Sequence, residues 1–172
     1  MSKAILTSPG WGDTSDNRHV YLRDTVIGGR FINDQKLVNT MAGEASLQPP
    51  ILEKYGAGFS KTDNKFDLLA IPGHTYARDV QGKNNKGKDY MLPLITYAKK
   101  AGVDFVDKVF ITRLFANDNR IAAVTGISEE GDFVIFEVKC VILATGGYSQ
   151  IYFNTSNTPG INGDGLALAY EL

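Results

Sequence analysis

The sequence contains very little cysteine and histidine, and this scarcity excludes two kinds of site. Cys140 is the only cysteine among 172 residues, and His19 and His74 are the only histidines. One cysteine cannot form an internal disulfide, and two histidines beside it leave too few ligands for a multi-cysteine metal site. We expect Cys140, which follows a strand-like run, to be a small buried hydrophobic residue. No metal-binding residue is predicted.

The sequence also lacks an excess of charge and a long apolar run. It has 18 Lys and Arg against 19 Asp and Glu, a net charge of -1, and 43% hydrophobic residues. This balance does not support binding to nucleic acid or to an anionic membrane surface. No window approaches the ~20 apolar residues of a membrane span, and the N-terminus has no signal-peptide layout. We expect a cytoplasmic globular protein without direct membrane insertion.

Residues 1–102 are predicted to be mainly helix and loop. The first 15 residues, with Pro9-Gly10-Trp11-Gly12 at their centre, predict a loop that no strand precedes, with Trp11 covering a core edge. Apolar residues at helical spacing and end signals predict four helices. These run from Ser15 or Asp16 to Gly28, from Asn33 or Asp34 to Ala45, from Pro49-Pro50 to Gly56, and from Asp89 to Ala101.

Three segments between these helices carry turn signals. Residues 59–70 predict a small hairpin around Thr62-Asp63-Asn64. Residues 71–79 place His74, Arg78 and Asp79 near a Pro-Gly turn, which suits a site loop and a solvated loop equally. Residues 82–88 contain three lysines and two glycines, but their spacing is not that of a Walker motif. A mobile loop is therefore favoured there over a phosphate site.

Residues 103–147 change to a strand pattern. Runs that begin at Val109, Ile121 and Phe133 are separated by turns at 117–119 and 129–132, which predicts a three-stranded antiparallel meander. The apolar run 141–143 then predicts a strand buried on both faces. It leads into a Thr-Gly-Gly turn, and a glycine-flanked helix start follows within residues 148–172. Such parts occur in nucleotide sites and also at ordinary sheet edges.

Several motifs in this order resemble one known family. Residues 24–28 read DTVIG, residues 33–38 NDQKLV, residues 51–60 ILEKYGAGFS, and residues 141–152 VILATGGYSQIY, with Asn157 and Gly163-Asp164-Gly165 after them. The set is similar to the succinate dehydrogenase/fumarate reductase flavoproteins, which include L-aspartate oxidase, over residues 20–172. The resemblance implies an α/β fold, α+β within this chain. It would be a single partial FAD/NAD(P)-binding three-layer domain over residues 1–172, with helices, the meander and a returning buried strand.

The resemblance also implies a cofactor, FAD, and eight cofactor-binding residues. Seven lie at the strand end and the following helix start: Ala144, Thr145, Gly146, Gly147, Gly163, Asp164 and Gly165. The eighth, Arg78, matches an arginine in a GG-x-x-x-AR run near the flavin. The implied activity is that of an electron-transport oxidoreductase acting on a dicarboxylate of the succinate, fumarate or L-aspartate type. Its implied partners are the remainder of the flavoprotein and an iron-sulfur subunit, at the inner face of a membrane.

Some family motifs have no counterpart here. The Gly-x-Gly-x-x-Gly turn that holds the FAD pyrophosphate is missing, as are the substrate-binding and proton-delivering residues of the capping domain. Asn84-Asn85-Lys86-Gly87 stands where relatives have Asp-Arg-Thr-Gly, and Asn162 where they have Thr. We expect a central fragment that binds FAD weakly or not at all and is inactive alone. The alternative is a non-catalytic module that pairs with another chain, or with its own copy, through an open sheet edge or exposed sheet or helix faces.

Overall fold

Helices and small antiparallel sheets alternate along the chain, which confirms the predicted class of an α/β fragment. The computed structural model describes residues 5–172. These residues divide into two units, one that ends at Asp104 and one that comprises Phe105–Leu172. The first unit contains most of the helices, and the second contains the meander.

Four helices of the first unit lie close to their predicted positions: α1 (Arg18–Gly28), α2 (Gln35–Glu44), α3 (Gln48–Lys54) and α4 (Lys88–Lys100). Asn17 caps α1 by accepting hydrogen bonds from the backbone of His19 and Val20, so the predicted caps Ser15 and Asp16 were wrong. Asp34 caps α2 as predicted. The two prolines lie in the first turn of α3, where a missing N–H costs no helical hydrogen bond.

Residues 5–7 of the predicted N-terminal loop form a strand, contrary to the prediction, and residues 1–4 of that loop lie outside the described residues. β1 (Ile5–Thr7) pairs antiparallel with β5 (Asp79–Gln81), and β5 pairs on its other edge with β4 (Leu68–Leu69). Three residues are too few to show a strand period, and the partner strand is more than 70 positions away, so no local pattern could reveal it. Trp11 packs at the edge of the core cluster around Val80, as predicted.

The two polar segments before α4 have defined turns. β2 (Lys61–Thr62) and β3 (Lys65–Phe66) form the predicted hairpin, with Asp63 and Asn64 at positive φ. The segment 82–87 is held by the Asp89 carboxylate, which accepts hydrogen bonds from the Asn84 backbone (2.8 Å), the Asn84 side chain (2.9 Å) and the Lys86 backbone (3.0 Å). These bonds lower the pKa of Asp89, so the carboxylate that orders the loop stays charged.

The second unit contains the predicted antiparallel meander. Its strands β6 (Val109–Asn117), β7 (Arg120–Ser128) and β8 (Phe133–Glu137) pair in that order. The last helix, α5 (Asp164–Tyr170), contributes Leu168 to a core cluster with Leu114 and Val124. Alternation along the strands thus directs one face of the meander toward this core.

Two predictions just before the glycine turn were wrong. The returning buried strand at 141–143 does not form, and Ile142 is 88% exposed. A strand buried on both faces needs neighbouring strands for its backbone groups, and in residues 5–172 none pairs with this segment. Cys140 is exposed rather than buried for the same reason, because it lies in this unpaired segment.

Candidate cofactor site

The first part of the candidate site is the glycine turn at residues 144–147. Gly146 has φ +78°, and no atom lies within 4 Å of the position a Cβ would take. Within the part of the chain that the structure describes, no backbone N–H of these four residues donates a hydrogen bond. Consecutive free N–H groups in a turn can bind phosphate or ribose oxygens.

The second part is the start of α5, which lies directly against this turn. A Cβ on Gly165 would stand 2.0 Å from Oγ1 of Thr145, so only glycine permits the approach. Gly163 has φ +83°, and a Cβ there would stand 2.8 Å from Cβ of Tyr148. Asp164 begins the helix, and its side chain is exposed. The structure therefore brings together the two segments that the motif resemblance selected.

The loop between the two parts is closed by two side chains to which the sequence analysis gave no role. Gln150 Nε2 donates to the carbonyls of Asn157 at 2.7 Å and Thr158 at 3.1 Å. Asn157 Nδ2 donates to Oγ of Ser149 at 2.7 Å. These bonds fold the loop back on itself, so that Gly163 reaches Tyr148. Gln150 and Asn157 both lie among the residues that carry the family resemblance. Their residue types alone, however, do not identify the carbonyls and the hydroxyl to which they donate.

A cleft of about 370 Å³ opens beside the turn. It is lined by Gly147, Tyr148, Ser149, Tyr152, Asn157 and Ile161. The two tyrosine rings are 6.5 Å apart between centroids and tilted by 41°. The volume of the cleft lies within the range of ~300–1,000 Å³ that is found for small-molecule sites. Aromatic rings beside free backbone donors suit a nucleotide-like ligand.

Arg78 lies in the first unit, and its side chain is fully buried. Nη2 donates to Oδ1 of Asp16 at 2.7 Å and lies 3.0 Å from Oδ2 of Asp24, and the guanidinium carbon is 5.2 Å from the centre of the Tyr21 ring. Nε and Nη1 are buried without a hydrogen-bond partner among residues 5–172. The interpretation of this segment as a solvated loop is therefore wrong for Arg78. Its assignment to the cofactor stays a prediction.

The Asp24 carboxylate beside Arg78 is held in the charged form. Burial acts to raise the pKa of Asp24, but two hydrogen bonds from Thr75, both 2.8 Å, and the charge of Arg78 outweigh it and lower that pKa. Asp79 accepts a hydrogen bond from Thr7, and its Oδ2 lies 2.9 Å from Nδ1 of His74. The segment 71–79 is thus tied to α1 and β1 by charged contacts.

Comparison with known protein sequences identifies relatives over almost the entire chain. The family described as FAD binding domain matches residues 2–172. A fumarate reductase (CoM/CoB) subunit from Methanothermobacter marburgensis is 34% identical over 161 residues, which are 92% of this chain and 29% of that protein. L-aspartate oxidase from Saccharolobus solfataricus is 29% identical over 156 residues, 91% of this chain and 31% of that enzyme. These matches confirm the family resemblance and FAD as the cofactor of the family.

Solved structures share the fold. Sdh1 of Mycobacterium smegmatis in complex with UQ1 matches with a TM-score of 0.88 and 30% identity, covering 99% of this chain and 31% of that chain. The quinol fumarate reductase FrdA of E. coli matches with a TM-score of 0.85 and 20% identity, which shows the common fold. This chain spans about 30% of the length of these relatives.

Two other kinds of feature are absent from the part of the chain that the structure describes. No helix in residues 5–172 has the length and apolar character required to cross a membrane. No group of three or more His, Cys, Asp or Glu residues in that range is placed to hold a metal ion.

Proposed function

The chain belongs to the FAD-binding domain family that includes fumarate reductase flavoprotein subunits and L-aspartate oxidases, and from this we propose that it forms part of the FAD-binding domain of a dicarboxylate oxidoreductase. The observation that carries the proposal is the contact of Thr145 with Gly165, which places a helix start against four free backbone N–H groups. When bound, FAD supplies the hydride-transfer chemistry.

In this proposal the chain's own residues bind and orient the dinucleotide. The N–H groups of residues 144–147 donate to its phosphate or ribose oxygens, and the Asp164 carboxylate accepts from a hydroxyl group. Gly163 and Gly165 permit the close approach of the two segments. The assignment of Arg78 to the cofactor rests on the motif resemblance alone, because its side chain is fully buried against Asp16 and Asp24. No catalytic residue is assigned within this chain.

The substrate and partners extend the same proposal. The intact protein would act on succinate, fumarate or L-aspartate and would pass electrons to an iron-sulfur subunit located at the inner face of a membrane. The name of one relative supports association, since that protein is a subunit of a fumarate reductase. This chain alone would be inactive and would bind FAD weakly or not at all, because the pyrophosphate-binding glycine motif has no counterpart in it.

A titration of the 172-residue chain with FAD, followed by backbone amide NMR, tests the proposal. At millimolar FAD we expect shifts confined to residues 144–147 and 163–165, because the free N–H groups lie there. Gly165→Ala should abolish these shifts. Gly28→Ala is the matched control, because no atom lies within 4 Å of a Cβ at that position. Shifts confined to other residues would contradict the site, and tight yellow binding at one equivalent would contradict the expected weakness.

A second candidate function is supported by an exposed apolar row on the meander. Phe110, Ile127 and Phe133 are paired across the three strands, and all three are exposed together with the nearby Ile135. An apolar row of this kind is typical of a surface that another protein element covers. In this alternative the chain is a non-catalytic module that associates through this sheet face.

A further inference from the structure

A second cleft, here called the lysine–tyrosine cleft, lies within the first unit between the end of α3 and one face of α4. Its volume is about 450 Å³, and its lining residues include Lys54, Tyr55, Leu92, Pro93, Tyr97 and Lys100. This volume lies within the ~300–1,000 Å³ of small-molecule sites. None of the proposed cofactor-binding residues lines the cleft.

The backbone fixes the position of the cleft. Pro93, Tyr97 and Lys100 follow one another at i, i+4 and i+7, so they share one face of α4. Tyr55 is the residue at which α3 ends. Gly56 then turns the chain with φ +94°, and a Cβ there would stand 3.4 Å from Cβ of Pro93. The turn at the end of α3 therefore lies beside Pro93 of α4.

The walls of the cleft are aromatic and partly open to solvent. The rings of Tyr55 and Tyr97 are 4.6 Å apart between centroids and tilted by 44°. Both rings are exposed, as is Leu92 beside them. Two adjacent rings with an aliphatic neighbour form a surface on which another planar ring can stack.

The charge at the cleft is positive and uncompensated. Lys54 and Lys100 make no ion pair with any residue in the range 5–172, and no Asp or Glu of that range lines the cleft. The nearest acidic residue in the sequence, Glu53, is engaged by Lys61 at 2.7 Å. The hydroxyls of Tyr55 and Tyr97 likewise have no hydrogen-bond partner within that range. Two lysines and two tyrosines therefore line the same cleft.

We propose that the lysine–tyrosine cleft binds a small planar aromatic anion, such as an aromatic carboxylate. The ring stacks against Tyr55 and Tyr97, and the carboxylate lies toward Lys54 and Lys100. A neutral ring lacks the attraction of the two ammonium groups, and a saturated anion lacks the stacking. Exposed ion pairs contribute little, so each lysine adds about twofold to fivefold in affinity. The inference does not depend on the proposed FAD function.

Three probes separate these contributions: 2-naphthoate, its neutral analogue 2-naphthamide, and the saturated anion cyclohexanecarboxylate. Binding to the 172-residue chain is followed by NMR of the ring signals of Tyr55 and Tyr97. We expect 2-naphthoate to bind more tightly than both analogues, and added salt to weaken it. Lys54→Ala and Lys100→Ala should each weaken binding about twofold to fivefold. Lys36→Ala on α2 is the matched control and should leave the affinity unchanged.

Several outcomes would overturn the proposal. One is equal affinity for 2-naphthoate and 2-naphthamide, because charge would then play no part. Another is unchanged affinity in the Lys54→Ala/Lys100→Ala double variant with the fold intact by circular dichroism. Tyr97→Leu keeps an apolar side chain and removes the stacking ring, so unchanged binding in that variant would also contradict it. An absence of binding at about 10 mM 2-naphthoate excludes the site.

Discussion

Oγ1 of Thr145 stands only 2.0 Å from the position that a Cβ on residue 165 would take, so the glycine turn and α5 meet only because residue 165 is glycine. Gly165→Ala should therefore push α5 away from the turn. We expect a loss of about 1–3 kcal/mol in the free energy of unfolding of the second unit, measured by urea denaturation.

Thr145 provides the control for that prediction. Thr145→Ala removes Oγ1 and Cγ2, the atoms 2.0 and 3.0 Å from the added Cβ, so it should partly restore the stability of Gly165→Ala. Thr145→Ser keeps an Oγ and should restore less. Strictly additive effects of the Gly165→Ala and Thr145→Ala substitutions would contradict the contact, because residues in contact show coupling energies.

Replacement of Arg78 should destabilise the first unit strongly. Arg78→Met leaves the Asp16 and Asp24 carboxylates without the guanidinium that lies 2.7 and 3.0 Å from them. Removing one partner of a buried ion pair costs about 3–5 kcal/mol. The free energy of unfolding measures this cost, and exposed Lys36→Ala should stay within about 0.5 kcal/mol of the parent. A loss of unfolding free energy in Arg78→Met as small as that in Lys36→Ala would show that the buried ion pair is not needed for stability.

The stability of the first unit should fall in acid because of Asp24. Its pKa in the fold is lower than the ordinary value of 3.8, so the unfolded chain takes up a proton at higher pH than the folded chain. The contribution is therefore present above the unfolded pKa and is lost as the pH falls through the folded pKa. Asp24→Asn should be less stable at pH 7 and show a shallower decline below about pH 5. An identical slope in both proteins would contradict this role.

Tyr90 should affect stability in alkali. Burial, with a smaller effect of the Asp89 charge, raises the pKa of Tyr90 to about 12. The unfolded chain loses this proton near the ordinary value of 10.0, so stability falls as the pH rises from that value toward the folded pKa. Tyr90→Phe should reduce this fall, as measured by unfolding at a series of alkaline pH values. An alkaline decline in Tyr90→Phe as steep as that of the parent chain would contradict this role.

The exposed apolar row on the meander should cause the chain to associate with itself at high concentration. Phe133 is 67% exposed and lies opposite Ile127 in the sheet. Phe133→Lys introduces a charge into the apolar row and should lower the sedimentation coefficient at high concentration toward that of a monomer. Ile142→Lys, at another exposed apolar residue, is the control. A parent chain that stays monomeric at high concentration would contradict the association function.

Local signals were sufficient for much of the fold. Asp34 and Pro49-Pro50 mark helix starts wherever the rest of the chain lies, because capping and proline geometry act within one turn. Asp63 and Asn64 likewise define the hairpin turn through their positive φ. The Thr-Gly-Gly and Gly-Asp-Gly motifs identified the candidate site and the family because their residue types are needed for close backbone approach.

Features that depend on distant partners could not be predicted from local pattern. β1 exists because β5 pairs with it, and the run 141–143 stays unpaired because no strand in residues 5–172 lies beside it. The apolar sequence of that run determined its preference for a sheet, but only neighbouring strands can satisfy its backbone.

At Arg78 the contribution of the local sequence can be separated from that of the tertiary structure for a single side chain. The sequence by itself determined that a permanent positive charge stands at position 78, directly before the strand. Only the tertiary structure decided that this charge lies buried between Asp16 and Asp24, because α1 and the loop before it bring two distant carboxylates to one guanidinium. The energy of a charge depends on its surroundings, and those surroundings come from the folded chain.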